Sequence, residues 1–217
     1  MSNFEKKYIL KADEKIKSGL FLPIAEEFYS VQGEGYNTGK AAYFIRIGGC
    51  DIGCFWCDAK DTWNAVDFPS INVDEVIERV VKSGTNAVVV TGGEPALYNL
   101  ENLTRKLKII GIETFLETSG SEPITGYWDW ICISPKKNYP PIENQLIMAD
   151  ELKVIVFDET DFQWADSFMS KVKKNSKLYL QPEWSRFKEI IPQIVEFVKS
   201  NNRWEISLQS HKFMKIP

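Results

Sequence analysis

Short runs of apolar and β-branched residues recur along the chain, separated by segments with helical periodicity. The runs AAYFIRI at 41–47 and NAVVVT at 86–91 each end at a pair of glycines. Between them, a capping-box motif from Asn72 to Glu75 begins a segment whose apolar residues, up to 81, fall on one helical face. The same patterns predict further strands at 112–117, 130–134, 151–157, 178–181 and 204–209, and further helices at 95–110, 161–174 and within 185–200, the last beginning near Ile190 or kinking at Pro192.

The alternation of strands and helices predicts parallel βα units and an α/β fold. Six or so strands are too few for a complete eight-unit barrel, which usually takes about 250 residues, so we expect an incomplete barrel of the TIM type or an open sheet. In either fold, ligands bind at the carboxyl ends of the strands. Small and polar residues follow five of the predicted strands: Gly48-Gly49, Gly92-Gly93-Glu94, Thr118-Ser119, Ser134-Pro135-Lys136 and Gln181-Pro182.

Length, charge and hydropathy restrict the class of protein. The 217 residues suit a single domain, 1–217. A net charge of −4 and the lack of any long Lys/Arg run argue against a nucleic-acid partner. No apolar stretch approaches the length of about 18 residues that spans a membrane, and the first twenty residues do not have the pattern of a signal peptide. We therefore expect a cytoplasmic protein in a reducing compartment.

Three of the four cysteines, Cys50, Cys54 and Cys57, lie within eight residues. In a reducing compartment, such a group indicates metal ligands or redox chemistry rather than disulfides. Structural zinc takes four ligands, and the remaining candidates, Cys132 and His211, are distant in sequence, which disfavours zinc. A [4Fe–4S] cluster is normally held by four thiolates, so three thiolates leave one iron for a non-protein ligand. A zinc- or iron-binding module without catalysis is the alternative.

The spacing Cys50-x3-Cys54-x2-Cys57 resembles the signature of radical S-adenosylmethionine (SAM) enzymes. Trp56 before the last cysteine and TGGEP at 91–95 resemble further motifs of that superfamily. The resemblance implies a partial TIM-type barrel whose cysteines hold a [4Fe–4S] cluster, with SAM on the open iron as the source of an adenosyl radical. Another enzyme of the superfamily, such as a glycyl-radical activase, would share these motifs.

Further segments narrow the resemblance to the 7-carboxy-7-deazaguanine synthase family, from about Leu20 to the end, which leaves 1–20 as an N-terminal extension. Enzymes of that family convert 6-carboxy-5,6,7,8-tetrahydropterin to 7-carboxy-7-deazaguanine with loss of ammonia, on the route to queuosine. The resemblance also implies a homodimer and a reducing electron donor such as flavodoxin or ferredoxin. It rests on EEFYSVQGEG (26–35), GKAAYFIRIGGC (39–50), CDAKDTW (57–63), VVVTGGEPAL (88–97), ETSG (117–120), SPK (134–136) and LQPEW (180–184).

The resemblance implies two sets of site residues. An amide at Gln32 and a carboxylate at Glu34 suit the N–H edge of a pterin, and Arg46 suits its carboxylate. Taken alone, Glu34 would rather be an exposed loop acid and Arg46 an outward-facing strand residue, and Cys132 is interpreted as core packing. The substrate set is Val31, Gln32, Gly33, Glu34, Arg46, Thr91 and the C-terminal carboxylate of Pro217, and the SAM set is Trp56, Cys57, Asp58, Gly93, Ser134, Pro135, Lys136 and Gln181.

One position departs from the family pattern. Members known to depend on magnesium carry a Thr or Ser hydroxyl two residues after the last cysteine, where this chain has Ala59. Because Mg²⁺ requires oxygen ligands, the alanine supplies no side-chain ligand. Either substrate, waters and a neighbour such as Asp58 or Asp61 hold the ion, or the ion is dispensable. We expect a weaker dependence on magnesium than in a relative with threonine.

Overall fold

The computed structural model describes residues 14–217, so most of the predicted N-terminal extension lies outside the described residues. Nine strands and seven α-helices alternate along this part of the chain. The strands are β1 (Phe21–Val31), β2 (Ala41–Ile47), β3 (Ser70–Asn72), β4 (Ala87–Gly92), β5 (Glu113–Thr118), β6 (Trp130–Ile133), β7 (Glu151–Val156), β8 (Lys177–Pro182) and β9 (Trp204–Ile206). The helices are α1 (Glu14–Lys17), α2 (Val73–Ser83), α3 (Glu101–Ile109), α4 (Glu143–Leu146), α5 (Thr160–Asp166), α6 (Phe187–Ser200) and α7 (Ser210–Met214).

All nine strands belong to one sheet of order β3-β1-β2-β4-β5-β6-β7-β8-β9. From β2 to β9 every neighbouring pair is parallel, whereas β1 is antiparallel to both β2 and β3. The sheet does not close, since β3 and β9 form its two edges. This confirms the predicted incomplete barrel of parallel βα units.

The two faces of the sheet carry different side chains. Because successive residues of a strand point to opposite faces, one face packs on the helices and the other faces inward. The helix side forms the large core, to which Ile45, Val88 and Val90 belong. On the inner face a small apolar cluster of Ala42, Phe44, Ala87, Val89 and Phe115 fills the amino-terminal end.

Polar residues follow this inner cluster two positions further along each strand. Arg46 follows Phe44, Thr91 follows Val89, and Glu117 follows Phe115. The inner face therefore changes from apolar to charged towards the carboxyl ends of the strands, and this change of character positions the site.

Three predicted helices differ from the structure in their bounds. The helix predicted at 95–110 begins only at Glu101, because the side chain of Asn99 accepts the backbone N–H of Glu101 and so replaces a helical bond. The helix predicted at 161–174 ends at Asp166. The last long helix begins at Phe187, so a start near Ile190 is wrong.

Strand β1 was not predicted, because Pro23 and the consecutive acids Glu26 and Glu27 interrupt its apolar pattern. Within the described residues, no helix has both the length and the apolar character needed to cross a membrane.

Candidate functional site

A cavity of about 460 Å³ opens at the carboxyl ends of the parallel strands. Its volume lies in the range of small-molecule pockets, about 300–1,000 Å³. Two residues named from the sequence, Cys54 and Pro135, do not line it. Those that line it are Val31, Gln32, Gly33, Glu34, Arg46, Cys50, Trp56, Cys57, Asp58, Ala59, Thr91, Gly93, Ser134, Lys136, Gln181 and Pro217.

Residues Cys50–Cys57, called the cysteine loop here, form one wall of this cavity. The loop is fixed at its start, where the Cys50 N–H donates to the Trp63 carbonyl at 3.0 Å. It turns back at its end, where the Cys57 N–H donates to the Cys54 carbonyl at 3.1 Å. Cys50 is buried, Cys54 and Cys57 are half-buried, and none of the three forms a disulfide. Three free thiols are thus held on one short, anchored loop.

The sulfur donors fit a [4Fe–4S] cluster with three protein ligands. Burial raises the pKa of the Cys50 thiol to about 12, so binding iron must displace a proton there. The Ala59 N–H lies 3.4 Å from the Cys57 sulfur and would stabilise a thiolate. No three His, Cys, Asp or Glu side chains in 14–217 are grouped to hold a single metal ion. In a cluster, by contrast, each thiolate binds a different iron.

The glycine-rich segment that follows β4 packs directly on the cysteine loop. The Glu94 N–H donates to the Gly49 carbonyl at 2.8 Å. A Cβ atom on Gly93 would lie 2.2 Å from that same carbonyl oxygen and 2.9 Å from the Cys50 Cβ. Glycine is therefore required at 93 for the two segments to meet.

The buried carboxylate of Glu94 fixes this segment through hydrogen bonds. It accepts the backbone N–H of Ala96 at 2.9 Å and that of Ser119 at 2.8 Å, together with the hydroxyls of Thr118 and Ser119. Glu94 thereby joins the ends of β4 and β5, and its role is structural support beside the cysteine loop.

The residues expected to contact SAM surround the same side of the cavity. Lys136 donates to the carbonyl and the hydroxyl oxygen of Ser134, each at 2.6 Å, and its ammonium lies 5.8 Å from the centre of the Trp56 ring. Burial lowers the pKa of Lys136. Gln181 accepts the Ser207 hydroxyl at 2.7 Å, and Asp58 pairs with Lys212 at 2.7 Å. These are polar side chains already positioned by protein partners.

The same cavity is lined by a charged cluster of Gln32, Glu34, Glu117 and Lys153, called the acidic floor here. The Lys153 ammonium lies 2.8 Å from Glu34 and 2.9 Å from Glu117. The Gln32 amide donates to the other oxygen of Glu117 at 3.3 Å. The Lys153 side chain is only 4% exposed, whereas both carboxylates reach the cavity. One buried cation thus holds two carboxylates.

Arg46 faces the cavity and not solvent, so the outward orientation considered for this residue is wrong. Its Nε donates to Glu26 at 3.1 Å, which anchors the guanidinium at one edge. Nearby, the Ser30 hydroxyl donates to the Pro217 carbonyl oxygen at 3.2 Å and brings the C-terminal residue to the cavity. Arg46 and the C-terminal residue therefore line the same cavity.

Several lining residues were not identified from the sequence: Glu117, Lys153, Gln209 and His211. Glu117 and Lys153 lie on strands that were predicted, and a lysine inside the apolar run ELKVIV is a signal that could have been used, since lysine is rarely buried without a partner. Gln209 donates to Glu34 at 2.8 Å. Burial lowers the pKa of His211, although Glu34 opposes that effect.

The side chains beside the cysteine loop do not fit a magnesium ion. Ala59 lines the cavity with a methyl group, and the Asp58 carboxylate is engaged by the Lys212 ammonium. Asp61 also lines the cavity, but one carboxylate is far from the near-octahedral set of oxygens that Mg²⁺ takes.

Comparison with known proteins identifies relatives over most of the chain. The family model of the radical SAM superfamily matches residues 44–131. A 7-carboxy-7-deazaguanine synthase of Flavobacterium psychrophilum is 49% identical over 93% of this chain and 96% of its own. The synthase of Synechocystis is 42% identical over 89% and 93%, and that of Escherichia coli K12 is 32% identical over 89% and 98%.

A solved structure agrees with these matches. The crystal structure of QueE from Escherichia coli superposes with a TM-score of 0.81 at 28% identity, covering 94% of this chain and all of that one. These findings decide against a non-catalytic metal-binding module and a glycyl-radical activase. The chain belongs to the 7-carboxy-7-deazaguanine synthase family within the radical SAM superfamily.

Proposed function

We propose that this chain converts 6-carboxy-5,6,7,8-tetrahydropterin to 7-carboxy-7-deazaguanine with loss of ammonia, as a radical SAM lyase of queuosine biosynthesis. One observation carries the proposal: a single cavity is lined both by the cysteine loop and by the acidic floor. The first suits a cluster and SAM, and the second suits the donor edge of a pterin.

On the cofactor side, Cys50, Cys54 and Cys57 would hold the [4Fe–4S] cluster, which together with SAM supplies the radical chemistry when bound. The residues that we propose to position SAM are Pro135, which does not itself line the cavity, and six that do: Trp56, Asp58, Gly93, Ser134, Lys136 and Gln181. Gly93 leaves room for close backbone approach, and Lys136 supplies a cation beside an aromatic face.

On the substrate side, the donor edge of the pterin is bound by acceptors. Glu34 and the amide oxygen of Gln32 can accept hydrogen bonds from its ring N–H and amino groups. The main chain at Val31 and Gly33 and the hydroxyl of Thr91 line the same space. Arg46 keeps its Nη groups for the substrate carboxylate, which a guanidinium binds in a bidentate manner.

The remaining parts of the proposal concern assembly and conditions. They comprise a single domain over 1–217, a homodimer, a cytoplasmic location, a reducing electron donor such as flavodoxin or ferredoxin, and a substrate contact from Pro217. Magnesium is expected to contribute little, because Ala59 offers no oxygen.

The decisive experiment is an anaerobic incubation of the purified protein with a reductant, SAM and 6-carboxytetrahydropterin. Formation of 7-carboxy-7-deazaguanine is expected, and Cys50→Ala is the matched inactive control. A native protein that binds its cluster and SAM but yields no deazaguanine would overturn the proposed substrate and leave the superfamily assignment intact.

A further inference from the structure

Lys153 has no assigned part in the proposed reaction, yet it lies at the centre of the acidic floor. We propose that Lys153 is a positioning residue that holds Glu34 and Glu117 side by side as two carboxylates, so that both accept hydrogen bonds from the donor edge of the substrate. This inference rests on the proposed function, because it assigns the recognition of the pterin to a pair of carboxylates and a buried cation.

The geometry of the floor is symmetrical about the ammonium. Lys153 donates to one oxygen of Glu34 and one oxygen of Glu117. The second oxygen of each carboxylate is held by an amide: Gln209 donates to Glu34 at 2.8 Å, and Gln32 donates to Glu117 at 3.3 Å. Glu34 also accepts a hydrogen bond from Gln181, and Glu117 one from the Cys132 thiol. A carboxylate has about four acceptor sites, so each of the two retains one for a ligand. Both carboxylates are therefore fixed in direction and still available.

Three parts of the chain that are remote in sequence meet at this ammonium. Glu34 follows β1, Glu117 ends β5, and Lys153 lies in the middle of β7. The two carboxylates point at one cation from different elements, and without it two like charges would face each other in a cavity wall. Such a pair holds a proton, because adjacent carboxylates cannot both ionise easily. Lys153 is thus what allows both groups to be ionised.

The protonation states agree with this geometry. Burial would raise the pKa of Glu34, but the charge and hydrogen bond of Lys153 outweigh it and bring that pKa to about 2. Burial would lower the pKa of Lys153, and the acidic groups around it raise it well above its usual value instead. Glu34 is therefore ionised beside a protonated Lys153, and an ionised carboxylate favours a ligand rich in N–H donors.

Other ionisable groups face the same cluster and must be considered in a pH profile. Burial raises the pKa of Cys132 on β6 and of Glu151 on β7. His211 and Lys136 approach from α7 and from the segment after β6, and burial lowers the pKa of each. All four remain in every variant below, so ratios of variant to native isolate Lys153.

The test is Lys153→Met, with kcat and KM for 6-carboxytetrahydropterin measured at several pH values from about 5.5 to about 8.5, on both sides of neutrality. We expect kcat/KM near pH 7 to fall roughly 10- to 100-fold, mainly through KM, because one carboxylate becomes protonated. The ratio of variant to native kcat/KM should rise with pH as that proton leaves. A calorimetric titration of the protein with 6-carboxypterin should show the same pH-dependent weakening.

Three further variants sharpen the result. Lys153→Arg keeps the cation and should recover most of the affinity. Lys153→Met combined with Glu117→Gln leaves a single carboxylate, so the pH dependence of the ratio should vanish, and this variant replaces the single one if the latter does not fold. Lys173→Met is the matched control, since Lys173 pairs with Asp150 at 2.8 Å and neither residue is among those that line the cavity.

A folded Lys153→Met enzyme with native KM and a flat ratio would overturn the inference, as would an equal loss of affinity in Lys173→Met. A native enzyme that makes no deazaguanine instead overturns the proposed function, whatever Lys153→Met does.

Discussion

The cysteine loop and the acidic floor face the same cavity, but they satisfy their polar groups in different ways. The floor is complete within the protein, because Lys153 and two amides contact every oxygen of Glu34 and Glu117. The cysteine loop offers thiols whose partners must come from outside, and burial raises the pKa of Cys50 and Cys54.

This contrast indicates where each kind of change should act. Buried thiols lose their protons when a metal group binds, so changes in the loop should affect cofactor loading more than folding. Buried charges that satisfy each other contribute to the folded state itself, so changes in the floor should affect stability and substrate affinity together.

The largest expected effect comes from the cysteine loop. Cys50→Ala should reduce iron from about four per chain to near background and abolish activity, because two thiolates cannot hold the cluster. Iron and sulfide analysis of an anaerobic preparation measures this, with Cys132→Ala as the control for cysteine content. Equal iron loss in both variants would show that Cys132, buried on β6, is also needed to hold the cluster, and iron retained in Cys50→Ala would show that the loop is not the cluster site.

The second prediction concerns Gly35, which follows Glu34 of the acidic floor and packs against Glu151 on β7. Gly35 has φ +64°, and a Cβ there would lie 1.9 Å from an oxygen of Glu151. Gly39 in the same segment has φ +91° with open space around its Cβ position. Gly35→Ala should cost about 2–4 kcal/mol of unfolding free energy and Gly39→Ala about 1–2 kcal/mol, since only the first adds a steric clash to the backbone strain.

Urea unfolding of the two glycine variants gives both values. Equal losses would mean that the Gln32–Gly35 segment is not held against Glu151, and the close packing that supports the floor would then be wrong.

Third, the floor should contribute to stability in a defined acid range. The pKa of Glu34 falls from its ordinary value near 4.5 to about 2 in the folded protein. A lowered folded pKa stabilises the protein above the unfolded pKa, and that contribution is lost as the pH falls from about 4.5 towards 2. The native protein should therefore lose about 1–3 kcal/mol more of its unfolding free energy than Glu34→Gln does over this pH range.

Thermal unfolding of native protein and Glu34→Gln at about pH 6, 4 and 3 measures the difference, because these values run from above the unfolded pKa towards the folded one. The difference in unfolding temperature between the two proteins should decrease as the pH decreases. A difference that stays constant would show that Lys153 does not stabilise the ionised form of Glu34.

The difference between loop and floor also explains what could be predicted from the sequence. The cysteine loop and the TGGEP segment are local patterns, so their resemblance to motifs of a known superfamily revealed them, and the parallel strands followed from their β-branched runs. The floor joins Glu34, Glu117 and Lys153 across 119 and 36 residues of sequence. Only strand register brings these groups together, and no local pattern encodes it.

The same argument accounts for the orientation of Arg46. On one strand alone, alternation does not show which face is inward, so solvent was the simpler interpretation. In the sheet, Arg46 is paired in register with Thr91 and lies two positions beyond the buried Phe44, which fixes it on the inner face.

The smallest expected effect concerns Ala59, which lies two residues beyond the cysteine loop. We expect a strong magnesium chelator to change the native rate by well under the factor of ten that corresponds to about 1.4 kcal/mol. Ala59→Thr adds a hydroxyl to the cavity wall and should make the rate respond more to magnesium, because Mg²⁺ takes oxygen ligands. Asp58 is occupied by Lys212, so Lys212→Met is the companion variant that frees a second oxygen donor. If the native rate instead collapses with the chelator, the ion is held by groups other than the side chain at 59, and the loop would resemble the floor in presenting a preformed charged site.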